Sequence, residues 1–342
     1  MKIAEISEPQ SHKMANMSLI AAVFVVMMHV GPVSETGHFW FDWSLSMLKN
    51  GFCQAAMPWF FFAAGYFLVN HYGRDGWYLN CLRKRFHSLV IPFLFWGAIY
   101  VLYAYVLMLL GSNYQWPYHS WYHLVSKTYG ITYQLPAAGH LWFMRNLCGL
   151  VVISPILIYL LGKAPRVLLT LTFLLAWVSP ALCRWADLPK DFFYSGIPLE
   201  GLPCFLLGMY LRFCRRDLTN AGCPWVWLVI SFGLLTACHL ANLPFLRWPG
   251  LLASALGVWG LVPANVWPCW LTASSFPIYL VHWLFLSVLS IVYKRLGIPS
   301  FFDVSVIGYL AQVMIVFCLS LLATLLIRLS LRRFSSWLFG GR

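Results

Sequence analysis

The chain has 342 residues, of which 61% are hydrophobic, 18% aromatic and 10% charged, with 23 Lys and Arg against 10 Asp and Glu for a net charge of +13. Soluble domains carry about a quarter charged residues, so this composition excludes a water-soluble globular enzyme and places most of the chain in lipid. The positive charge falls in short connections between apolar runs, where it sets orientation and attracts anionic membrane lipids; nucleic-acid binding would need an extramembrane domain, which the pattern lacks.

The first dozen residues are polar, and the apolar run after them lacks a small-residue cleavage site, so a retained helix is expected rather than a signal peptide. A bilayer core of about 30 Å takes roughly 20 apolar residues per helix. Runs near that length fall at about 14–33, 51–70, 88–111, 141–162, 167–183, 197–212, 224–241, 249–266, 270–292 and 304–328. They predict an all-α polytopic membrane bundle of about ten transmembrane helices, folded as one domain over 1–342, with no internal repeat and no interrupted helix pair. With the N-terminus inside, the connections assigned to the cytoplasm hold Lys and Arg over the outer ones by about two to one. An even number of spans then returns the C-terminus to the cytoplasm. The longest outer connection, about 112–140, carries Trp116, Tyr118, Trp121, Tyr122, Tyr129 and Tyr133. Such residues suit the headgroup belt, or a platform on which sugar rings stack. The ten cysteines are scattered without a Cys-x-x-Cys pair, as small apolar filler, so neither a disulfide framework nor a metal site is expected.

Ionisable groups inside apolar runs cost several kcal/mol and are candidates for function. His29 lies about fifteen residues into the first run, which puts it in the outer half of the bilayer, and Glu35 follows near the outer mouth. His140 and Arg145 open the inward-running fourth span, beside Trp142. Glu200 sits about a turn into the sixth. His282 lies in the ninth, with Tyr279 three residues earlier on nearly the same helical face. If these groups share a cavity, His29 and His282 are candidate bases, Glu200 a carboxylate to orient one of them, and Arg145 a guanidinium for an anion or an oxyanion. Glu35, His140, Trp142 and Tyr279 are the substrate-binding candidates. On the opposite face Arg83, Lys84 and Arg85 crowd the connection before the third span. They read as a topological stop, or as a docking site for a phosphorylated cytosolic donor.

The strings Ala21 to His29 (AAVFVVMMH), Met57 to Phe67 (MPWFFFAAGYF), Arg85 to Trp96 (RFHSLVIPFLFW), Leu141 to Leu147 (LWFMRNL) and Ser275 to His282 (SFPIYLVH) resemble, in order and across nearly the whole chain, the signatures of the type-3 membrane acyltransferase family. The resemblance implies a ten-helix enzyme that takes an acyl group, commonly acetyl from acetyl-CoA, and delivers it to a hydroxyl of a sugar or other acceptor, with His29 as the principal catalytic residue. Arg83, Lys84 and Arg85 would then hold the phosphates of an acyl-CoA donor, and no metal is required. Two positions depart from the family pattern. A basic residue usual eleven positions before the histidine is Ser18 here, and the frequent Asp after the Trp-Phe-x-Arg string is Asn146. Lys13 falls on nearly the opposite helix face from His29, whereas Arg83 or Arg85 could reach in from a neighbouring loop.

The expectation is therefore a membrane O-acyltransferase of the bacterial inner membrane, acting on a glycan or lipid-linked sugar, with His29 as general base or transient acyl carrier. The alternative is an exporter of such a glycan, since buried ionisable groups also mark transport. A third reading is an inactive scaffold in a glycan-assembly complex, supported only by Ser18.

Overall fold

The computed structural model describes residues 6–31, 37–110, 120–131, 138–188, 199, 201–219, 222–241, 243–297 and 305–341. Among them every regular element is helical: α1 (Glu8–His29), α2 (Phe39–Ser46), α3 (Ala56–Leu68), α4 (Trp77–Arg85), α5 (Ile91–Leu109), α6 (Trp121–Tyr129), α7 (Trp142–Val152), α8 (Ser154–Lys163), α9 (Pro165–Trp185), α10 (Leu202–Phe213), α11 (Pro224–Leu240), α12 (Arg247–Leu261), α13 (Cys269–Thr272), α14 (Ser275–Leu296), α15 (Val306–Ser330) and α16 (Arg332–Leu338).

Each of the ten apolar runs holds a helix, but among the described residues only five helical stretches are long and apolar enough to cross a bilayer by themselves. These are Glu8–His29, the 33-residue stretch Trp77–Leu109 that joins α4 to α5, Pro165–Cys183 within α9, Ser275–Tyr293 within α14, and Val306–Ser330. The fourth run is broken. Gly139–Val152 and Ser154–Lys163 meet at 62°, and counted together they make a sixth candidate. This corrects the expectation of uninterrupted spans, and Pro155 explains it. Proline has no N–H for the ladder and its ring clashes with the carbonyl four residues back, so the helix restarts with Pro155 in its first turn. The other runs yield shorter apolar helices, of 12 residues in α10 and 17 in α11.

Packing divides the chain into two compact units, one of Ala4–Phe60 with Arg216–Leu331 and one of Phe61–Arg215 with Arg332–Arg342. The first contains His29 and the second Arg145.

In the His29 unit, α1 starts with Glu8 and Pro9 in its first turn, where a negative charge and a missing N–H are both tolerated. Its residues Leu19, Ala22, Val26 and Val30 pack against Ile278 of α14, Tyr309, Val313 and Val316 of α15, and Phe41 and Leu45 of α2. In lipid such contacts stabilise by close fit rather than by water release. α14 ends at Gly297 in the left-handed conformation, and Ser305 caps α15 by accepting from the Gly308 N–H at 2.9 Å. Between α2 and α3 the chain stays out of register, with a π-helical turn at Met47–Gly51 and a 3-10 turn at Phe52–Ala55. Single π-turns occur often at functional sites, and this one carries Lys49.

In the Arg145 unit, α3 and α10 cross backbone to backbone. A Cβ on Gly65 would collide with the Phe205 carbonyl, and one on Gly208 with the Phe62 carbonyl, so only glycine permits the approach. Buried Arg212 donates to Asn70 Oδ1 at 2.9 Å and lies 5.2 Å over the Tyr66 ring. The chain's last residues dock beside α5, where the Trp96 indole donates to the Leu338 carbonyl at 3.0 Å and stacks on Phe339.

Candidate functional site at the end of helix α1

α1 ends on His29. A helix end leaves carbonyls without N–H partners, and that of Met27 is taken by the Tyr309 hydroxyl of α15, which donates to it at 2.7 Å. The chain then turns at Gly31, whose φ of +97° suits glycine alone. A Cβ there would crowd the Tyr309 ring at 3.1 Å and touch Lys49 Nζ at 3.6 Å.

α14 runs alongside and brings up His282. The two imidazoles lie with ring centroids 5.4 Å apart and planes tilted by 30°. The Trp283 ring meets His29 edge-on at 4.9 Å. His282 is fully buried, and its Nδ1 lies 2.8 Å from the Tyr279 carbonyl. A carbonyl can only accept, so in the neutral ring Nδ1 carries the hydrogen and Nε2 keeps the lone pair able to take a proton. The Tyr279 ring is 6.3 Å from His282 and stacks on Phe276. The structure thus brings His29 beside His282, with Tyr279 next to His282 as their helical spacing required.

Lys49 is the neighbour that the sequence reading missed. Its half-buried ammonium lies within electrostatic range of His29, and Cys53, one turn on, places Sγ 3.8 Å from Met27 Sδ. A lysine between two apolar runs is visible in the sequence, but its approach to a histidine twenty positions earlier depends on the π-turn. Glu35 and Glu200 lie outside the described residues.

The remaining candidates belong to the Arg145 unit. Arg145 directs Nη1 to the Gly130 carbonyl at 2.6 Å, and Nε and Nη2 to Asn146 Oδ1 at 3.3 and 3.2 Å. Gly130 is the C-cap residue of α6, its N–H donating to the Ser126 carbonyl, so Arg145 fastens the amphipathic α6 to α7. Asn146, where the family often has Asp, accepts both the Nε and the Nη2 bonds on its single amide oxygen. His140 is buried with its ring 5.2 Å from Tyr100, and Trp142 packs in the core against Phe61 at 6.0 Å. Arg83 and Lys84 are exposed on α4 while Arg85 is half-buried. Of the aromatic segment, Trp121 and Tyr122 are exposed on α6, whereas Tyr129 is a packing residue whose hydroxyl donates to the Leu94 carbonyl at 3.0 Å. Trp116, Tyr118 and Tyr133 lie outside the described residues.

Ser18 donates to the Met14 carbonyl at 2.8 Å and lies 3.3 Å from the donating Trp59 indole N–H. Trp59 stacks on Trp259 at 5.0 Å, and Lys13 sits 4.8 Å over that second ring while donating to the Thr219 carbonyl at 2.7 Å. Among the described residues no group of three or more His, Cys, Asp or Glu side chains could hold a metal ion.

No curated protein and no solved structure matches the chain. The family model Acyl_transf_3, described as an acyltransferase domain, matches residues 17–329, from the middle of α1 to the last turn of α15, with His29 and His282 inside the match. The chain therefore belongs to the type-3 acyltransferase family and is a multi-pass membrane protein of that family.

Proposed function

We propose that the protein transfers an acyl group, acetyl in the simplest case, from a cytosolic acyl-CoA to a hydroxyl of a glycan or lipid-linked sugar. It does so from a ten-span bundle in the bacterial inner membrane with both termini in the cytoplasm. The observation that carries this reading is the His29–His282 pair, two imidazoles 5.4 Å apart at the end of a membrane helix, one of them fixed in tautomer by a main-chain carbonyl.

His29 takes the proton of the acceptor hydroxyl as the oxygen attacks the acyl carbon. The C–O bond forms, the C–S bond to CoA breaks, and the thiolate recovers the proton, so that an ester and free CoA leave. His282 stands behind His29 as its orienting partner, a role shared with Glu200 in this reading, and Tyr279 and Glu35 line the acceptor's approach. Arg83, Lys84 and Arg85 meet the CoA phosphates through forked and point-charge contacts. Arg145 acts through the Gly130 carbonyl that it already holds, keeping α6 fixed, and His140 and Trp142 serve as acceptor-binding residues. Export is the weaker reading, because transporters repeat their broken helices in both halves and the described residues include one bent pair that together qualifies as a membrane span.

The test compares the mass of the surface glycan from cells with and without the gene. Loss of an acyl mass from an otherwise unchanged glycan is the expected result. Disappearance of the whole glycan from the surface would favour export.

A further inference from the structure

Lys49 costs more to hold than an ordinary surface lysine. A lysine near a membrane boundary normally runs its stem along apolar surface and leaves its ammonium in water. Here the ammonium is half-buried and points toward the chain just past His29, 3.6 Å from where a Gly31 side chain would begin. Three local features produce that placement. The π-turn Met47–Gly51 takes residue 49 out of the register that α2 would give it. Gly31, with φ of +97°, leaves the opening that a side chain would fill. The Tyr309 hydroxyl fixes the last turn of α1 through the Met27 carbonyl. The cation expected eleven residues before His29 is absent, and the nearest lysine on α1, Lys13, is committed to the Thr219 carbonyl and the Trp259 ring.

From this geometry we infer that Lys49 is a further catalytic residue, whose ammonium meets the negative charge that develops on the acyl carbonyl oxygen while His29 deprotonates the attacking hydroxyl. The inference rests on the acyl-transfer reading above and adds the group that stabilises its transition state. As the acceptor oxygen bonds to the acyl carbon, the carbonyl electron pair moves onto oxygen and the hydroxyl proton moves to His29. Lys49 faces the oxyanion and keeps its own proton. Collapse returns the pair to the carbonyl, expels the thiolate and passes it the proton from His29. A fixed charge in a site screened from water is worth far more than in solution, and a donor of this kind typically contributes about a hundredfold to a thousandfold in turnover. Among the described residues, His29, Cys53 and Tyr309 are titratable groups at this position, and none of them is a permanent cation.

The experiment measures acyl transfer from acetyl-CoA to the acceptor by purified wild type, Lys49→Met and Lys49→Arg, each checked by thermal melting. For Lys49→Met we expect kcat to fall about a hundredfold or more, with the donor KM changed by less than about threefold, because the lost contact exists only in the transition state. Lys49→Arg should regain at least about a tenth of wild-type turnover, since charge rather than shape is needed. A Lys49→Met enzyme with kcat within about threefold of wild type, or one with raised KM and unchanged kcat, overturns the assignment. So does a well-folded Lys49→Arg as inactive as the Met variant. If Lys49→Met does not assemble, Lys49→Gln, equally uncharged but polar, is read by the same criteria. A wild type that transfers no acyl group would instead refute the acyl-transfer reading itself.

Discussion

The two ends of α1 both bury polar side chains, and they surround them differently. Toward the N-terminus, Lys13 donates to the Thr219 carbonyl, Asn16 donates to the carbonyls of Pro263 and Asn265 at 3.0 Å each, and Ser18 donates back to Met14. Asp217 closes the arrangement. Its carboxylate accepts the Thr219 N–H at 2.8 Å, and that bond, with help from Lys13, holds its pKa below the ordinary carboxylate value. At the C-terminal end, His29 meets another imidazole, an indole edge and an ammonium. Polar groups matched to carbonyls fasten a helix to its neighbours. A histidine set among rings and a cation is arranged to exchange a proton. One helix thus serves as an anchor at one end and a reactive group at the other.

The comparison sharpens if each end is disturbed separately. The larger effect on stability is expected at the anchor. Asn16→Ala strips donors from two carbonyls and should lower unfolding stability by about 1–3 kcal/mol, the lower end reflecting how weak such bonds often are within membranes. Turnover per folded molecule should stay within about twofold of wild type. A large drop in kcat at unchanged melting temperature would move the N-terminal end into the chemistry and break the distinction. The smaller effect is expected from Tyr309→Phe, which loses one hydroxyl to the Met27 carbonyl and should cost about 1 kcal/mol. Because that hydroxyl fixes the turn bearing His29, transfer should nevertheless fall, by up to about tenfold through misplacement of the base. Unchanged transfer in Tyr309→Phe would show that His29 holds its place without this strut.

The helices were legible wherever length and apolarity spoke, and so were both site histidines, because His29 and His282 are titratable groups in otherwise apolar runs. Tyr279 followed from helical spacing. The break at Ser154–Pro155 was legible in principle, since a proline inside a helical pattern ends or kinks it; it was passed over because the flanking residues are continuously apolar. Lys49 was out of reach for another reason. No periodicity forecasts a π-turn, and its meeting with Gly31 joins positions eighteen apart in the chain. Arg145 shows a further limit. The sequence displayed its charge, but not that the Gly130 carbonyl, set by the left-handed cap of α6, would receive its guanidinium. At Ser18 the sequence displayed a missing charge, and the Trp59–Trp259 stack that occupies this region joins α3 to α12 across two hundred residues.

The central claim is that His29 carries the proton, and its most direct test is acyl transfer by purified His29→Gln beside wild type, with melting temperature measured on the same samples. Glutamine keeps similar bulk and hydrogen bonding but has no titratable nitrogen. The account predicts a loss of transfer of at least about a hundredfold, the usual range for a lost general base, with melting within a few degrees of wild type. A His29→Gln enzyme that still modifies its acceptor at near wild-type rate would contradict it and make His29 a packing residue.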